Sequence, residues 1–147
     1  QHGFALGDRV IETLRSFGYR TQADNFFIQC FDSTELRRVR ARFGDELPLI
    51  QLLEEGAVLS RESLAGVGEY AQGIGPAIEM AWPDRGLVGI AREVGLLVHP
   101  YTFRADEMPP GFVDFNALLT TFVDTLQVDG LFTDFPDLVV KYVRRPS

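Results

Sequence analysis

The apolar segments of this chain lack the regular alternation of polar and apolar residues that marks a half-exposed strand. Residues 26–31, 47–53 and 96–103 are short, largely apolar runs of this kind. Such strands are buried on both faces, which is typical of a parallel sheet covered by helices. Segments with apolar residues at helical spacing lie between these runs, so the sequence predicts repeated strand–helix units. Two architectures fit this pattern, a doubly wound sheet and a (β/α)8 barrel.

Predicted strands and helices alternate along the chain. The predicted strands are residues 26–31, 47–53, 72–76, 96–103 and 130–133. The predicted helices are residues 8–17, 32–42, 63–70, 84–94, 114–126 and 135–143. A complete barrel needs eight strands and about 250 residues, whereas this chain has 147, so the pattern alone favours the doubly wound sheet. A dinucleotide site is not indicated, because Gly66-x-Gly68 lacks the third glycine of a phosphate-binding loop.

Charge and cysteine content exclude several classes of site. The formal net charge is −7, which argues against sequence-independent nucleic-acid binding, since that needs clustered Lys and Arg. No apolar run approaches the roughly 20 residues of a membrane span. Cys30 is the single cysteine, so neither an internal disulfide nor a Cys/His zinc site is expected, and its apolar neighbours predict a buried thiol in a strand. The chain begins without Met or a signal-peptide pattern, so we expect a processed or truncated piece.

Four motifs give a more specific indication. They are I-Q-C-F-D at residues 28–32, Y-A-Q-G-I-G-P at 70–76, V-H-P-Y-T-F-R at 98–104 and G-L-F-T-D-F-P-D at 130–137. In this order and at this separation they resemble the carboxyl-terminal half of the glycerophosphodiester phosphodiesterase family, and in particular its periplasmic-type branch. The resemblance extends from about Asp8 to Val143, which is nearly the whole chain.

The resemblance implies a fold and an activity. The family is a (β/α)8 barrel, so residues 1–147 would form the carboxyl-terminal portion of one barrel domain, a partial barrel with strands four to eight and their helices. The activity implied is hydrolysis of glycerophosphodiesters to an alcohol and glycerol 3-phosphate, in glycerol and lipid metabolism. The complete enzyme would use a divalent metal, calcium or magnesium. The family branch also implies a periplasmic or secreted location.

The catalytic motifs of the family are absent from this sequence. The family uses a His in H-R-G, a second His in H-D, and metal ligands from E-x-D and a later E-x-K. Here Gly3 follows His2 and Pro100 follows His99, no E-x-D occurs, and the single lysine, Lys141, has no acidic residue two positions before it. Phosphodiester hydrolysis needs a placed acid and base and neutralised phosphate oxygens. We therefore expect no catalytic residue and no metal ligand in this chain, and no activity from the chain by itself.

Four residues are candidates for substrate binding. Phe31 and Tyr101 match the family positions at which aromatic residues line the glycerol-side pocket, and Tyr101 stands where other branches have Trp. Gln29 shares a strand face with Phe31, and Phe103 shares one with Tyr101, because side chains two positions apart point the same way. The alternative for the aromatic residues is a place in the core, where strand aromatics are commonly buried.

Three further positions have competing interpretations. His99 could act as a base, but its place before a proline in a strand fits a packed, hydrogen-bonded residue better. Asp134 could contact substrate, but capping of the last helix is the favoured role. Glu79 lies in a predicted loop, where a metal or substrate role has no motif to support it. Residues 104–111, with two prolines, are predicted to form a loop over the barrel mouth.

Other functions stay open at this point. One alternative is a non-catalytic half-barrel that serves as a binding or assembly module. A further one is an unrelated α/β enzyme with Glu79 and Asp134 as a metal pair. A partial barrel would leave open strand edges and inner apolar side chains, so we expect a missing amino-terminal segment or self-association to cover them. The side chains expected on that surface are Phe26, Phe27, Leu49, Leu97, Phe103 and Leu131.

Overall fold

The computed structural model describes residues 6–57, 59–84 and 86–145. Its helices are α1 (Leu6–Ser16), α2 (Ser33–Phe43), α3 (Arg61–Val67), α4 (Ile78–Ala81), α5 (Gly86–Glu93), α6 (Phe115–Leu119) and α7 (Pro136–Val143). Its strands are β1 (Ile28–Cys30), β2 (Leu49–Leu52), β3 (Gly73–Gly75) and β4 (Leu97–Val98). A 3₁₀ turn covers Gln22–Asp24, and a π-helical segment, Thr120–Thr125, continues α6. The amino-terminal residues from which we expected a processed piece lie outside the described ranges.

Most predicted elements are confirmed in place, with shorter strands. The predicted strand 130–133 is reduced to one parallel bridge, between Phe103 and Thr133. Helix α4 was not predicted, since its four residues are too few to show a helical period. Among the described residues, no helix has the length and apolar character needed to cross a bilayer.

The strands pair in the order in which they occur in the chain. The sheet is four-stranded with the order β1-β2-β3-β4, and each neighbouring pair is parallel. Two parallel bridges, Ala77 with Tyr101 and Phe103 with Thr133, continue the same order. A doubly wound sheet reverses its strand order at a switch point, and the pairing here has no reversal. The doubly wound sheet favoured by the pattern is therefore wrong, and the order is that of a barrel wall.

One face of the sheet carries the main core. Ile74 and Val98 are fully buried on this face and belong to one apolar cluster with residues of the surrounding helices, such as Leu36, Leu64 and Val88. Leu49 and Phe103 are also fully buried, so their expected place on an uncovered inner surface is wrong. Cys30 at the end of β1 is only half-buried, because β1 is the edge strand of the described sheet.

An arginine fixes the amino-terminal ends of two strands. The guanidinium of Arg40 donates to the carbonyl oxygens of Tyr70 and Leu47, each at 2.9 Å, and to Gln72 Oε1 at 2.8 Å. The same Gln72 oxygen accepts from the Leu49 amide at 2.7 Å. Because these groups precede β2 and β3, the network holds the start of both strands against α2.

The opposite face of the sheet is tight at β3. A Cβ atom added at Gly73 would lie 2.6 Å from the Leu97 carbonyl oxygen and 2.9 Å from Ile50 Cδ1. The first of these atoms belongs to the backbone of the adjacent strand and cannot rotate away. Glycine is therefore required at this position for the strands to approach each other.

We predict that Gly73→Ala destabilises the protein by about 1–3 kcal/mol, as overpacking of a core does. Gly89→Ala is the matched control, because Gly89 lies inside α5 with no atom within 4 Å of a new Cβ. The control should stabilise by about 0.5–1 kcal/mol through helix propensity. Urea denaturation of both variants gives the two free energies of unfolding. If Gly73→Ala and Gly89→Ala changed the free energy of unfolding in the same direction and by the same amount, the packing argument for Gly73 would be contradicted.

Candidate functional site

The carboxyl ends of the strands meet at one edge of the sheet. Phe31 follows β1, Glu54 follows β2, Ala77 follows β3, Tyr101 follows β4 and Asp134 follows the last bridge. Parallel pairing in chain order places these residues on the same rim. This is the end of a barrel at which active sites are built.

The structure brings Phe31 and Tyr101 together. Their rings pack edge to face, with centroids 5.7 Å apart and an interplanar angle of 83°. Phe31 is 45% exposed, which is unusual for a large aromatic side chain. Gln29 is exposed on β1 and pairs in register with Ile50 of β2. The two aromatic residues that were predicted to line one pocket are thus in contact, while their contact with substrate, and that of Gln29, stays a prediction.

Tyr101 is held firmly at the rim. Its hydroxyl donates to the carbonyl oxygen of Leu53 at 2.6 Å, and its amide donates to the Pro76 carbonyl at 3.0 Å. Burial is the largest cause that raises the pKa of its phenol. The negative charges of Glu55, Glu54 and Glu79 raise this pKa further. The phenol therefore stays protonated at neutral pH and serves as a donor.

Phe103 occupies a different environment. It is fully buried and packs edge to face against Phe122, with ring centroids 5.1 Å apart. Its amide donates to the Phe132 carbonyl at 2.7 Å. This position favours the core role over the substrate-binding role for Phe103, and the proposed contact with substrate is untested.

His99 is a packed core residue. It is 6% exposed, its ring lies 4.6 Å from that of Phe27, and a Cβ atom at Gly130 would approach it to 2.9 Å. Burial lowers the pKa of His99, and Asp129 opposes this shift only in part. The imidazole is therefore neutral at pH 7.

Asp134 does not cap the last helix. The residue before α7 is Phe135, and Asp134 stands one position too early for its carboxylate to reach the first amides. Its Oδ2 atom instead accepts from Arg104 Nη1 at 3.1 Å. Arg104 also pairs with Asp106 at 3.0 Å and with Glu107 at 3.6 Å. These contacts attach the loop of residues 104–111 to the end of the last strand.

A cleft of about 350 Å³ lies between this loop and the rim. Ala77 and Ile78, which are almost fully buried, are among its lining residues. The remaining lining residues are Glu55, Glu79, Tyr101, Thr102, Arg104, Glu107, Met108, Pro109 and Pro110. The loop over the barrel mouth was predicted from its prolines, and here it forms a wall of the cleft. The sequence carried no signal for the cleft itself, since α4 and the wall residues are far apart in the chain.

The described residues do not assemble a metal site. No group of three or more His, Cys, Asp or Glu side chains among them lies close enough to hold a metal ion. Asp134 is paired with Arg104, which also pairs with Asp106 and Glu107. The donor set present thus does not fit a divalent metal, and the hypothesis of a Glu79–Asp134 metal pair finds no support.

We predict that His99 makes stability fall in weak acid. Because the pKa is lowered in the folded state, the unfolded chain binds the proton first, and the stability contributed by His99 is lost as pH falls from about 6.5 towards the folded-state pKa. His99→Gln should therefore lose less stability than the parent between pH 8 and pH 5. Urea denaturation of both proteins at pH 8 and pH 5 gives the loss in free energy of unfolding for each. Subtracting one loss from the other cancels the carboxylate titrations that the two proteins share. Parallel losses in the two proteins would show that the imidazole is not desolvated.

Comparison with known proteins gives the same family by two routes, a family model and curated relatives. The model of the Glycerophosphoryl diester phosphodiesterase family matches residues 1–138. A glycerophosphodiester phosphodiesterase of Haemophilus influenzae is 27% identical, with 98% of this chain and 49% of the relative covered. One of Treponema pallidum is 22% identical, with 100% and 51% covered. The chain thus spans about half the length of the curated relatives it matches.

Solved structures show the same fold. A putative glycerophosphoryl diester phosphodiesterase from Silicibacter pomeroyi matches with a TM-score of 0.63 at 22% identity, over 91% of this chain and 42% of that one. A glycerophosphodiester phosphodiesterase from Thermotoga maritima matches with a TM-score of 0.60 at 18% identity, over 92% and 52%. At this identity the likeness shows the barrel fold, and the partial barrel expected from the resemblance is confirmed. From the match over residues 1–138, the chain belongs to the glycerophosphoryl diester phosphodiesterase family.

Proposed function

We propose that this chain is the carboxyl-terminal part of a barrel that hydrolyses glycerophosphodiesters to an alcohol and glycerol 3-phosphate. The observation that carries the proposal is the family match over residues 1–138, in a chain that spans about half the length of its relatives. The strand order and the aromatic pair at the carboxyl rim support it.

In this proposal the chain contributes part of the substrate pocket. The exposed face of Phe31 and the ring of Tyr101 offer an apolar wall for the carbon skeleton of glycerol. Gln29 carries an amide that can donate to, and accept from, a glycerol hydroxyl. Tyr101 keeps its position because its hydroxyl is bonded to the Leu53 carbonyl.

The acid, the base and the phosphate ligands belong to the rest of the barrel in this proposal. The sequence lacks H-R-G, E-x-D and E-x-K, and the described residues offer no fitting donor set for a divalent metal. No catalytic step is therefore assigned to this chain.

The sheet needs a further partner. In the described structure β1 pairs with β2 on one side only, and the exposed aromatic side chain of Phe31 lies at its carboxyl end. An edge strand with unpaired backbone groups is a template for association. We propose that the amino-terminal barrel segment covers this edge, and that self-association covers it when the segment is missing.

We predict that the purified 147-residue chain does not hydrolyse glycerophosphocholine, even with calcium or magnesium added. The physical reason is the missing acid, base and metal ligands, whose joint removal costs several orders of magnitude in rate. The control is the complete protein that contains this chain, which should release glycerol 3-phosphate in an enzyme-coupled assay. Metal-dependent turnover that follows the isolated chain through chromatography would refute the prediction.

We also predict that Phe31→Ala and Tyr101→Ala in the complete protein lower kcat/KM roughly tenfold or more, as loss of an apolar contact in a substrate pocket does. Phe17→Ala is the matched control, because Phe17 is 78% exposed and follows the last residue of α1. Kinetics and thermal melts are measured on the same samples. If the rim variants melt early but keep their activity per folded molecule, the two aromatic residues are structural.

A further inference from the structure

Gln51 is a buried polar side chain that the proposed pocket does not use. It lies in β2 and is 6% exposed. Its Nε2 atom donates to the carbonyl oxygens of Phe31 and Leu52, each at 2.8 Å, and to that of Cys30 at the longer distance of 3.4 Å. Its Oε1 atom accepts from the hydroxyl of Tyr70 at 2.8 Å. Both ends of the amide are therefore bonded, as is usual for a buried amide.

The partners of this amide fix its orientation. Carbonyl oxygens can only accept, so the NH₂ group of Gln51 faces them and its oxygen faces the hydroxyl of Tyr70. Burial has the largest effect on the pKa of the Tyr70 phenol and raises it, so the hydroxyl stays a donor at neutral pH. The guanidinium of Arg37 lies 4.1 Å from the centroid of the Tyr70 ring, and Arg40 donates to the Tyr70 carbonyl oxygen. Tyr70 is thus fixed at its ring and at its backbone, and it holds the amide in one orientation.

Phe31 stands where β1 leaves the sheet. The register between β1 and β2 ends with Cys30 opposite Gln51, and Asp32 is the N-cap of α2. Phe31 is therefore the single residue between the strand pairing and the cap. Its carbonyl oxygen is held by Gln51, and the carboxylate of Asp32 accepts from the amides of Thr34 and Glu35. The backbone on both sides of the Phe31 ring is thus fixed, although the residue is 45% exposed.

Both members of the aromatic pair are attached to the carboxyl end of β2. Phe31 is bonded through its carbonyl oxygen to Gln51, and Tyr101 is bonded through its hydroxyl to the Leu53 carbonyl oxygen at 2.6 Å. Gln51 lies in β2 and Leu53 follows it directly. Because the two rings have separate attachments, a shift of the Phe31 backbone would change their contact, in which the centroids are 5.7 Å apart.

We propose that Gln51 is a positioning residue for the substrate pocket, and that the hydroxyl of Tyr70 sets the orientation of its amide. Gln51 contacts no substrate itself, because its nitrogen is directed at backbone carbonyls and its oxygen at Tyr70. It acts by holding the backbone of Phe31, and with it the ring that faces the glycerol group. The effect on hydrolysis rests on the proposed function, whereas the effect on the contact between the two rings does not.

The kinetic test uses Tyr70→Phe in the complete protein that contains this chain, because this change removes one hydroxyl and keeps the ring. With glycerophosphocholine as substrate, we expect kcat/KM to fall about two- to tenfold, as the loss of one hydrogen bond does. In a Phe31→Ala background the same change should cause no further fall, since the ring that it positions is gone. Tyr142→Phe is the matched control, because its hydroxyl is bonded to Thr120 and Asp124 instead. Its effect should be the same in both backgrounds.

A spectroscopic test on the same variants reports the contact between the rings directly. With tyrosine labelled by ¹³C in its ring, the Tyr101 signal is assigned by its loss in Tyr101→Phe. The ring current of Phe31 acts on this signal, so Phe31→Ala gives its position without the contact. Tyr70→Phe should move the Tyr101 signal towards that position, and Gln51→Leu should move it further. Tyr142→Phe should leave it unchanged.

The outcomes separate the inference from the proposed function. If Tyr70→Phe lowers kcat/KM equally in the parent and in the Phe31→Ala background, or in neither, the inference is overturned and the hydrolase stays in place. If the complete protein hydrolyses no glycerophosphodiester, the proposed function fails and the Tyr101 signal decides. A shift of that signal in Tyr70→Phe would support the positioning role, and an unchanged signal would overturn it. If Gln51→Leu does not fold, Tyr70→Phe gives the same decision.

Discussion

Parallel pairing of the strands in chain order is the constraint on which every other feature depends. It places the residues that follow β1, β2, β3 and β4 on one rim, although they are distant in the sequence. The close approach at Gly73 allows this pairing, since any side chain there would meet the Leu97 backbone. The Arg40 network fixes the opposite ends of β2 and β3. The rim is therefore positioned by the sheet, and the loops add only its outer wall.

Much of the fold could be predicted because it follows from local pattern. Apolar runs without alternation indicated a buried parallel sheet, and helical spacing located most helices. The order of the strands is not a local property, so the pattern could not separate a doubly wound sheet from a barrel wall. Only the resemblance in the four motifs at residues 28–32, 70–76, 98–104 and 130–137 favoured the barrel. The strands proved shorter than their apolar runs, because a buried residue such as Leu47 lies outside β2.

The candidate site was predicted less completely, for physical reasons that differ from residue to residue. Phe31 and Tyr101 were found by resemblance, and their edge-to-face contact is consistent with it. Phe103 was assigned by strict two-residue alternation, but the chain beyond β4 is held by single bridges, and the side chain enters the core against Phe122. Asp134 was predicted to cap the last helix because it lies just before that helix in the sequence. Its carboxylate instead forms a long-range ion pair with Arg104. Contacts of this kind cannot be read from spacing.

The charges at the rim also bear on where a phosphate group can be held. A phosphodiester brings a negative charge that must be neutralised for attack by water. Among the described residues that line the cleft, Arg104 is the one cation, and three carboxylates already share it. A phosphate placed beside Glu55 and Glu79 without another cation would be repelled. In the proposed function, the phosphate and its counter-charges are therefore held by the part of the barrel that would carry the missing motifs. Within the described residues, the rim thus combines the aromatic pair of Phe31 and Tyr101 with an anionic cleft, and neither is suited by charge to hold a phosphate.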